Sequence, residues 1–280
     1  MAATLARIPV CLSIAGSDSG GGAGIQADLK AFARAGVHGA TAITAITAQN
    51  TVTVSAVEAV SPRMIVAQVR AVAEDLGIDA VKIGMLGSVA STEAVAEALS
   101  LLPDATPVVL DPVMIAESGA RLLDEDAQGA LARLIVPRAT VVTPNLPEAR
   151  VLAGDDSLDP EGLARAVHAL GAQVVVVTGG HRDEATDLFF DGTTLVPIPG
   201  ERFADGAAHG SGCTHSSTLA AHLALGEDPL NAARAAKTIA SVAVRDGLRS
   251  VGAGTGPVDV FGLAARLSRR SAPDAPGPLT

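Results

Sequence analysis

Residues 8–35 run IPVCLSIA, then GSDSGGGAG, then IQADLKAFARA. Residues 8–15 are apolar almost throughout, which is how a parallel strand covered on both faces reads. Residues 16–24 form a long glycine-rich loop. In residues 25–35, Ile25, Leu29 and Phe32 recur on one helical face, and Gly36 supplies a stop. A buried strand passing through a glycine turn into an amphipathic helix is the repeating unit of an α/β fold.

The rest of the chain repeats that unit. Strands are expected at 40–47, 80–85, 108–111, 140–143 and 173–178, with helices at 62–76, 91–101, 124–134, 147–153 and 160–170. After Thr178 the pattern changes. Residues 186–190 and 193–198, separated by Asp191-Gly192, read as a β-hairpin, and long helices follow at 213–225 and 229–246. This alternation predicts a three-layer α/β/α sandwich with a mostly parallel central sheet, as one domain over residues 1–270 with a disordered tail at 271–280. Ligands of such folds gather at strand C-terminal ends. Asp18, Gln49, Met85, Asp111, Asn145 and Thr178 all fall just past predicted strand ends, so one cleft along one rim is expected.

Composition narrows what that cleft holds. The 280 residues are 48% hydrophobic, enough for a large core, with a formal charge of −10 and neither Trp nor Tyr. Nucleic acid is therefore not an expected partner. Lysine occurs only as Lys30, Lys82 and Lys237, so a phosphate clamp must lean on backbone, Arg or metal. Cys11 and Cys213 show no CxxC spacing, which argues for a reducing compartment and against a disulfide scaffold or zinc site. Residues 8–15 are too short and lack the basic start of a signal peptide, and no apolar run approaches a membrane span. No membrane partner and a cytoplasmic location are the expectation.

The chemistry centres on residues 208–217, AHGSGCTHSS, ahead of an apolar helical run. Gly210, Ser211, Gly212 and Cys213 stand at a helix start, where close backbone approach and partial positive charge suit an anion. Cys213 reads either as a small buried residue or as a thiol whose pKa the helix start lowers, able to take a proton. His209 and His215 flank it without metal-ligand spacing, and a local hydrogen bond is the expected role of each. Residues 22–27, GAGIQA, fit the dinucleotide pattern weakly, since no acid closes the next strand. A flexible helix start or a ligand lid explains them better than a nicotinamide site. No G-x-x-x-x-G-K-[ST] loop occurs. Asn145 and Glu148 could simply open a helix, yet with Asp111 they also offer hard oxygens suited to hydrated Mg²⁺.

Taken together, residues 13–30 (SIAGSDSGGGAGIQADLK), 45–51 (AITAQNT), 82–86 (KIGML), 110–114 (LDPVM), 143–148 (TPNLPE), 178–181 (TGGH), 209–214 (HGSGCT) and 254–258 (GTGPV) carry a resemblance. The chain resembles, along nearly its whole length, the hydroxymethylpyrimidine/phosphomethylpyrimidine kinases of thiamine biosynthesis, within the ribokinase-like superfamily. The resemblance implies ATP as phosphoryl donor with Mg²⁺, and a small pyrimidine alcohol as acceptor. It implies that Gly16, Asp28, Gln49, Met85 and Val113 surround the pyrimidine. It further implies that Asp111 and Glu148 organise the metal, with Asn145, Thr178, Gly179 and Gly180 on the nucleotide. Gly210, Ser211, Gly212 and the Cys213 amide match the anion hole, and the Cys213 side chain matches the base. A homodimer is compatible with the family.

Three positions depart from the family's pattern. Thr178 and Glu117 stand where Lys is frequent, and Ala208 where Thr is frequent, so nucleotide affinity is where this chain is expected to differ. The rival readings are a pyridoxal/pyridoxine kinase on the same scaffold and, from another class, a non-catalytic pyrimidine-binding regulator. The regulator would need only one half of the residue set present here.

Overall fold

A computed structural model describes residues 7–116, 119–179, 185–203 and 206–271. The opening unit forms as its pattern dictates. β1 (Val10–Ala15) is buried at every position, and α1 (Gly24–Ala35) ends at Gly36, whose φ of 81° is the left-handed turn that glycine adopts freely.

The run 40–47 is a correction. It is not one strand: β2 (His38–Ile43) pairs with β1, and β3 (Ala45–Gln49) leaves the main sheet to pair antiparallel with β4 (Val54–Ala59). The break falls at buried Thr44, whose N–H donates to Ala15 O at 3.0 Å and whose Oγ1 donates to Met85 O at 2.6 Å. Unbroken β-branched sequence hides a corner made by hydrogen bonds to distant residues.

The remaining elements are α2 (Pro62–Asp75), β5 (Ala80–Ile83), α3 (Val89–Leu99), β6 (Val108–Leu110), α4 (Glu125–Leu134), β7 (Val141–Val142), α5 (Leu146–Ala153) and α6 (Pro160–His168). They are followed by β8 (Val174–Val177), β9 (Asp187–Phe190), β10 (Leu195–Ile198), α7 (Ser211–Ala224), α8 (Pro229–Arg245) and α9 (Leu263–Ser271). The helix α9 takes in the first residue of the expected tail; residues 272–280 lie outside the described residues.

The main sheet has eight strands in the order β10-β9-β8-β7-β6-β5-β1-β2. From β8 to β2 the pairings are parallel, and β9 and β10 close the edge as the expected antiparallel hairpin. Alternation sorts the core into two layers. Leu12, Ile14, Val81, Ile83, Val108 and Leu110 belong to the core beneath α2–α6, whereas Cys11, Ala80, Val109 and Val141 meet α1, α7 and α8. The result is the three-layer α/β/α arrangement. Among the described residues no helix is long and apolar enough to cross a membrane.

Helix α7 is unusual among these helices. Its Thr214, His215, Ser216, Ser217 and Thr218 are all buried. Ser216 Oγ donates to Asp111 Oδ2 at 2.9 Å and Ser217 Oγ to Asp28 Oδ1 at 2.6 Å, while the buried Thr214 and Thr218 hydroxyls have no hydrogen-bond partner among the described residues.

Candidate active site

A cleft of about 540 Å³ opens along the C-terminal ends of the parallel strands, and all six residues expected on that rim line it. One wall is made by two glycine loops locked together. The Asp18 carboxylate accepts the N–H groups of Gly20 (2.8 Å), Gly22 (3.0 Å) and Ala23 (2.8 Å), and its Oδ2 lies 2.8 Å from His209 Nε2. Burial works against ionisation of Asp18. The His209 contact and the amides of Ala23 and Gly20 outweigh it and hold the carboxyl below its ordinary value. Gly210 has φ 83°, and a side chain there would overlap the Gly22 carbonyl; one on Gly22 would run into the His209 ring. Residues 16–24 are thus braced against the start of α7 in this structure. His209 is hydrogen-bonded, but to Asp18 far along the chain and not locally as expected.

The α7 start follows directly. Ser211 N–H donates to Ala208 O and Thr214 N–H to Gly210 O, both at 2.9 Å. Between those bonded amides, Gly212 and Cys213 line the cleft at the positive end of the helix. Of the two readings of Cys213, the surroundings favour the buried thiol over one with a lowered pKa. Burial pushes Cys213 up to about 12; Lys82 is the strongest opposing influence, while Asp28 and Asp111 add to the rise and a Gly24 amide counters it. The helix start offers less than the loss of water removes, although the residue retains some exposure to the cleft.

Asp111 and Glu148 line the cleft together. Asp111 follows β6 and accepts Ser216 Oγ at 2.9 Å; burial raises its pKa against the pull of Lys82. Glu148 is pushed up to about 8, first by burial and then by Asp111, with the Asn145 and Met114 amides acting the other way. Asn145 and Glu148 also form a capping box, Asn145 N–H to Glu148 Oε2 and Glu148 N–H to Asn145 Oδ1, each at 2.9 Å. The plain helix-start reading and the site reading both hold. Two crowded carboxylates fit Mg²⁺, which uses one or two protein carboxylates and completes its shell with water and phosphate oxygens. Among the described residues no group of three or more His, Cys, Asp or Glu could hold a metal.

Of the residues expected on the nucleotide, Thr178 and Asn145 line the cleft and bridge β8 to β7. Gly179 does not line it: its N–H is bound by Asp187 Oδ1 at 2.8 Å. Gly180 and Glu117 lie outside the described residues. The same Asp187 oxygen accepts Lys237 Nζ at 2.6 Å, and Oδ2 lies 3.1 Å from His215 Nε2. Burial opposes the charge on Asp187, but His215, Lys237 and the Gly179 amide keep it below the usual range.

At the other end Gly16, Gln49, Met85 and Val113 line the cleft as expected. A side chain on Gly16 would press to 3.0 Å from Met85 Sδ, and Gln49 Oε1 accepts Thr47 Oγ1 at 3.2 Å. Asp28 is a correction. It has no exposed surface and does not line the cleft; its carboxylate accepts Lys82 Nζ (2.9 and 3.1 Å), Ser13 Oγ (2.5 Å) and Ser217 Oγ (2.6 Å).

Sequence reasoning gave Lys82, Asp187 and Lys237 no role. Lys82 was findable, because a lysine inside the apolar strand Ala80–Ile83 is itself an anomaly. Lys237 and Asp187 carry no such signal: one looks like a surface helix lysine, the other like a hairpin start.

A helix start that draws in anions beside carboxylates that favour a cation suits phosphoryl transfer to a small molecule. The backbone agrees. It matches a pyridoxal kinase from Staphylococcus aureus, solved with AMP-PCP and pyridoxal, with a TM-score of 0.82 and 33% identity over 91% of this chain and 94% of that one. The chain is a small-molecule kinase of the ribokinase-like class. Residues 18–259 match the family model for phosphomethylpyrimidine kinase, and the chain belongs to that family. A hydroxymethylpyrimidine/phosphomethylpyrimidine kinase of Rhizobium meliloti is 49% identical over 261 residues, covering 90% of this chain and 97% of the relative. The thiamine biosynthesis bifunctional protein ThiED of Geobacter sulfurreducens is 43% identical over 254 residues, 89% of this chain and 51% of that larger protein.

Proposed function

We propose that this chain phosphorylates 4-amino-5-hydroxymethyl-2-methylpyrimidine with ATP, and then its monophosphate to the diphosphate, in thiamine biosynthesis. The observation that carries the reading is a single two-ended cleft with Cys213 among its lining residues. Gly16, Gln49, Met85 and Val113 line it along with the residues of the phosphate side, Asp111, Asn145, Glu148, Thr178 and the Gly210–Cys213 turn. The higher identity to the pyrimidine kinase than to the pyridoxal kinase favours the pyrimidine.

In this reading Gln49 and Met85 orient the ring, and the α7 start stabilises charge growing on the transferring group. Cys213 takes the hydroxymethyl proton; burial keeps the thiol neutral, so the acceptor is the sparse thiolate form that Lys82 favours. Mg²⁺ held by Asp111 and Glu148 would supply neutralisation of the nucleotide phosphates. The domain spans residues 1–270, acts in the cytoplasm and pairs as a homodimer, which sedimentation equilibrium would test by finding dimer or only monomer. The deciding assay supplies pure protein with Mg-ATP and the pyrimidine and follows mono- and diphosphate by mass. No phosphorylated product from folded protein would sink the proposal. A higher kcat/KM for pyridoxal or pyridoxine would replace it with the vitamin B6 reading.

A further inference from the structure

Beneath the cleft lies a buried polar layer that the proposed chemistry does not use. Ser13 of β1 and Lys82 of β5 are register partners two residues beyond Cys11 and Ala80 of the α1/α7 core, and they alternate with Leu12 and Val81 of the opposite core. Both therefore stand on the face covered by α1 and α7. Helix α1 brings Asp28 to them and α7 brings Ser217. Ser13, Asp28, Lys82 and Ser217 have no exposed surface, and every Asp28 oxygen is bonded within the group.

A buried ion pair is seldom a net stabiliser, because apolar side chains of similar volume do as well or better. Its presence asks for another reason. Lys82 is also part of the cleft wall, with Asp111 and Cys213. Phosphoryl transfer brings nucleotide phosphates and an oxygen losing its proton to a wall already carrying carboxylates. A fixed ammonium there acts without reorganising.

We propose that Lys82, oriented by Asp28, is a positioning residue for phosphoryl transfer, a fixed positive charge under the cleft that offsets the negative charge assembled there. This rests on the cleft being the phosphoryl-transfer centre, but not on the thiol being the base. Asp28 then serves the reaction through Lys82 instead of through the pyrimidine.

The test compares the native chain with Asp28→Asn/Lys82→Met, which removes both charges and leaves no orphaned carboxylate, and with Lys82→Ala in the presence of ethylammonium. The double variant should melt close to native and keep both KM values within about threefold, with kcat lowered about 10²–10³-fold. Ethylammonium should restore part of the kcat of Lys82→Ala without changing its melting. A purely structural pair predicts otherwise: native kcat in the folded double variant, or no ethylammonium response in Lys82→Ala, and either result overturns the proposal. Native turnover with an unimpaired double variant overturns this proposal alone, whereas a native chain that transfers no phosphoryl group overturns the functional reading beneath it.

Discussion

At the scale of single residues, the site is defined by groups held away from their ordinary charge. With its thiol pushed up to about 12, Cys213 is thiolate in about one molecule in 10⁵ at pH 7. Its alkylation by iodoacetamide, followed peptide by peptide, should rise about tenfold per pH unit from 7 to 10. A plateau below pH 9 would show an activated thiol instead. Cys213→Ala should lower kcat about 10²–10⁴-fold with little change in pyrimidine KM. Glu148 behaves in the opposite sense to most carboxylates. Its pKa is raised on folding, from 4.5 to about 8, so the folded chain holds that proton more tightly than the unfolded one. The associated stability is complete below about pH 4.5 and is lost as pH rises through about 8. Without metal, the native chain should lose up to a few kcal/mol more than Glu148→Gln between pH 5 and pH 8.5, read by denaturant melts. Equal slopes for the two proteins would show that Glu148 is not buried as a neutral acid.

At the scale of elements, the two glycine loops act as one part. Gly210→Ala meets both a left-handed φ of 83° and the Gly22 carbonyl, so it should cost well over 1 kcal/mol of stability. It should also raise the KM for Mg-ATP, since the α7 start moves with it; a variant with native melting and native KM would show that the loops yield. This pairing also shows what the sequence could convey. Strand-to-helix alternation is local chemistry, so the layers and the rim of polar residues were legible from residues 8–35 onward. Asp18 against His209 is not local, the two standing 191 positions apart. The same distance problem hid the corner at Thr44, whose partners Ala15 and Met85 lie in other units. Asp28 was given to the pyrimidine by resemblance alone, and its buried partners on β1, β5 and α7 lie too far along the chain for any local pattern to show.

At the scale of the whole molecule, the cleft joins elements from both ends of the chain, so its occupant should stabilise all of it. A non-hydrolysable ATP analogue with Mg²⁺ at about 100 times Kd should add about 2.7 kcal/mol to unfolding, seen as a rise in Tm. Removing the metal with EDTA should abolish most of that rise, because the phosphates would then lose the cation that neutralises them beside Asp111 and Glu148. A rise that survives EDTA would place the nucleotide on protein cations alone. The layer around Asp28 has a further consequence, for how the chain is made. Lys82 follows Asp28 by 54 residues, but Ser217 follows it by 189. During synthesis α1 and β5 emerge long before the helix that seals them, leaving the ion pair open to water on one side. Docking of α7 is then the late step that dries the floor, and long-range closures of this kind are slow and expose apolar surface meanwhile. A nascent chain stalled before α7 is therefore the species most exposed to chaperones and proteases.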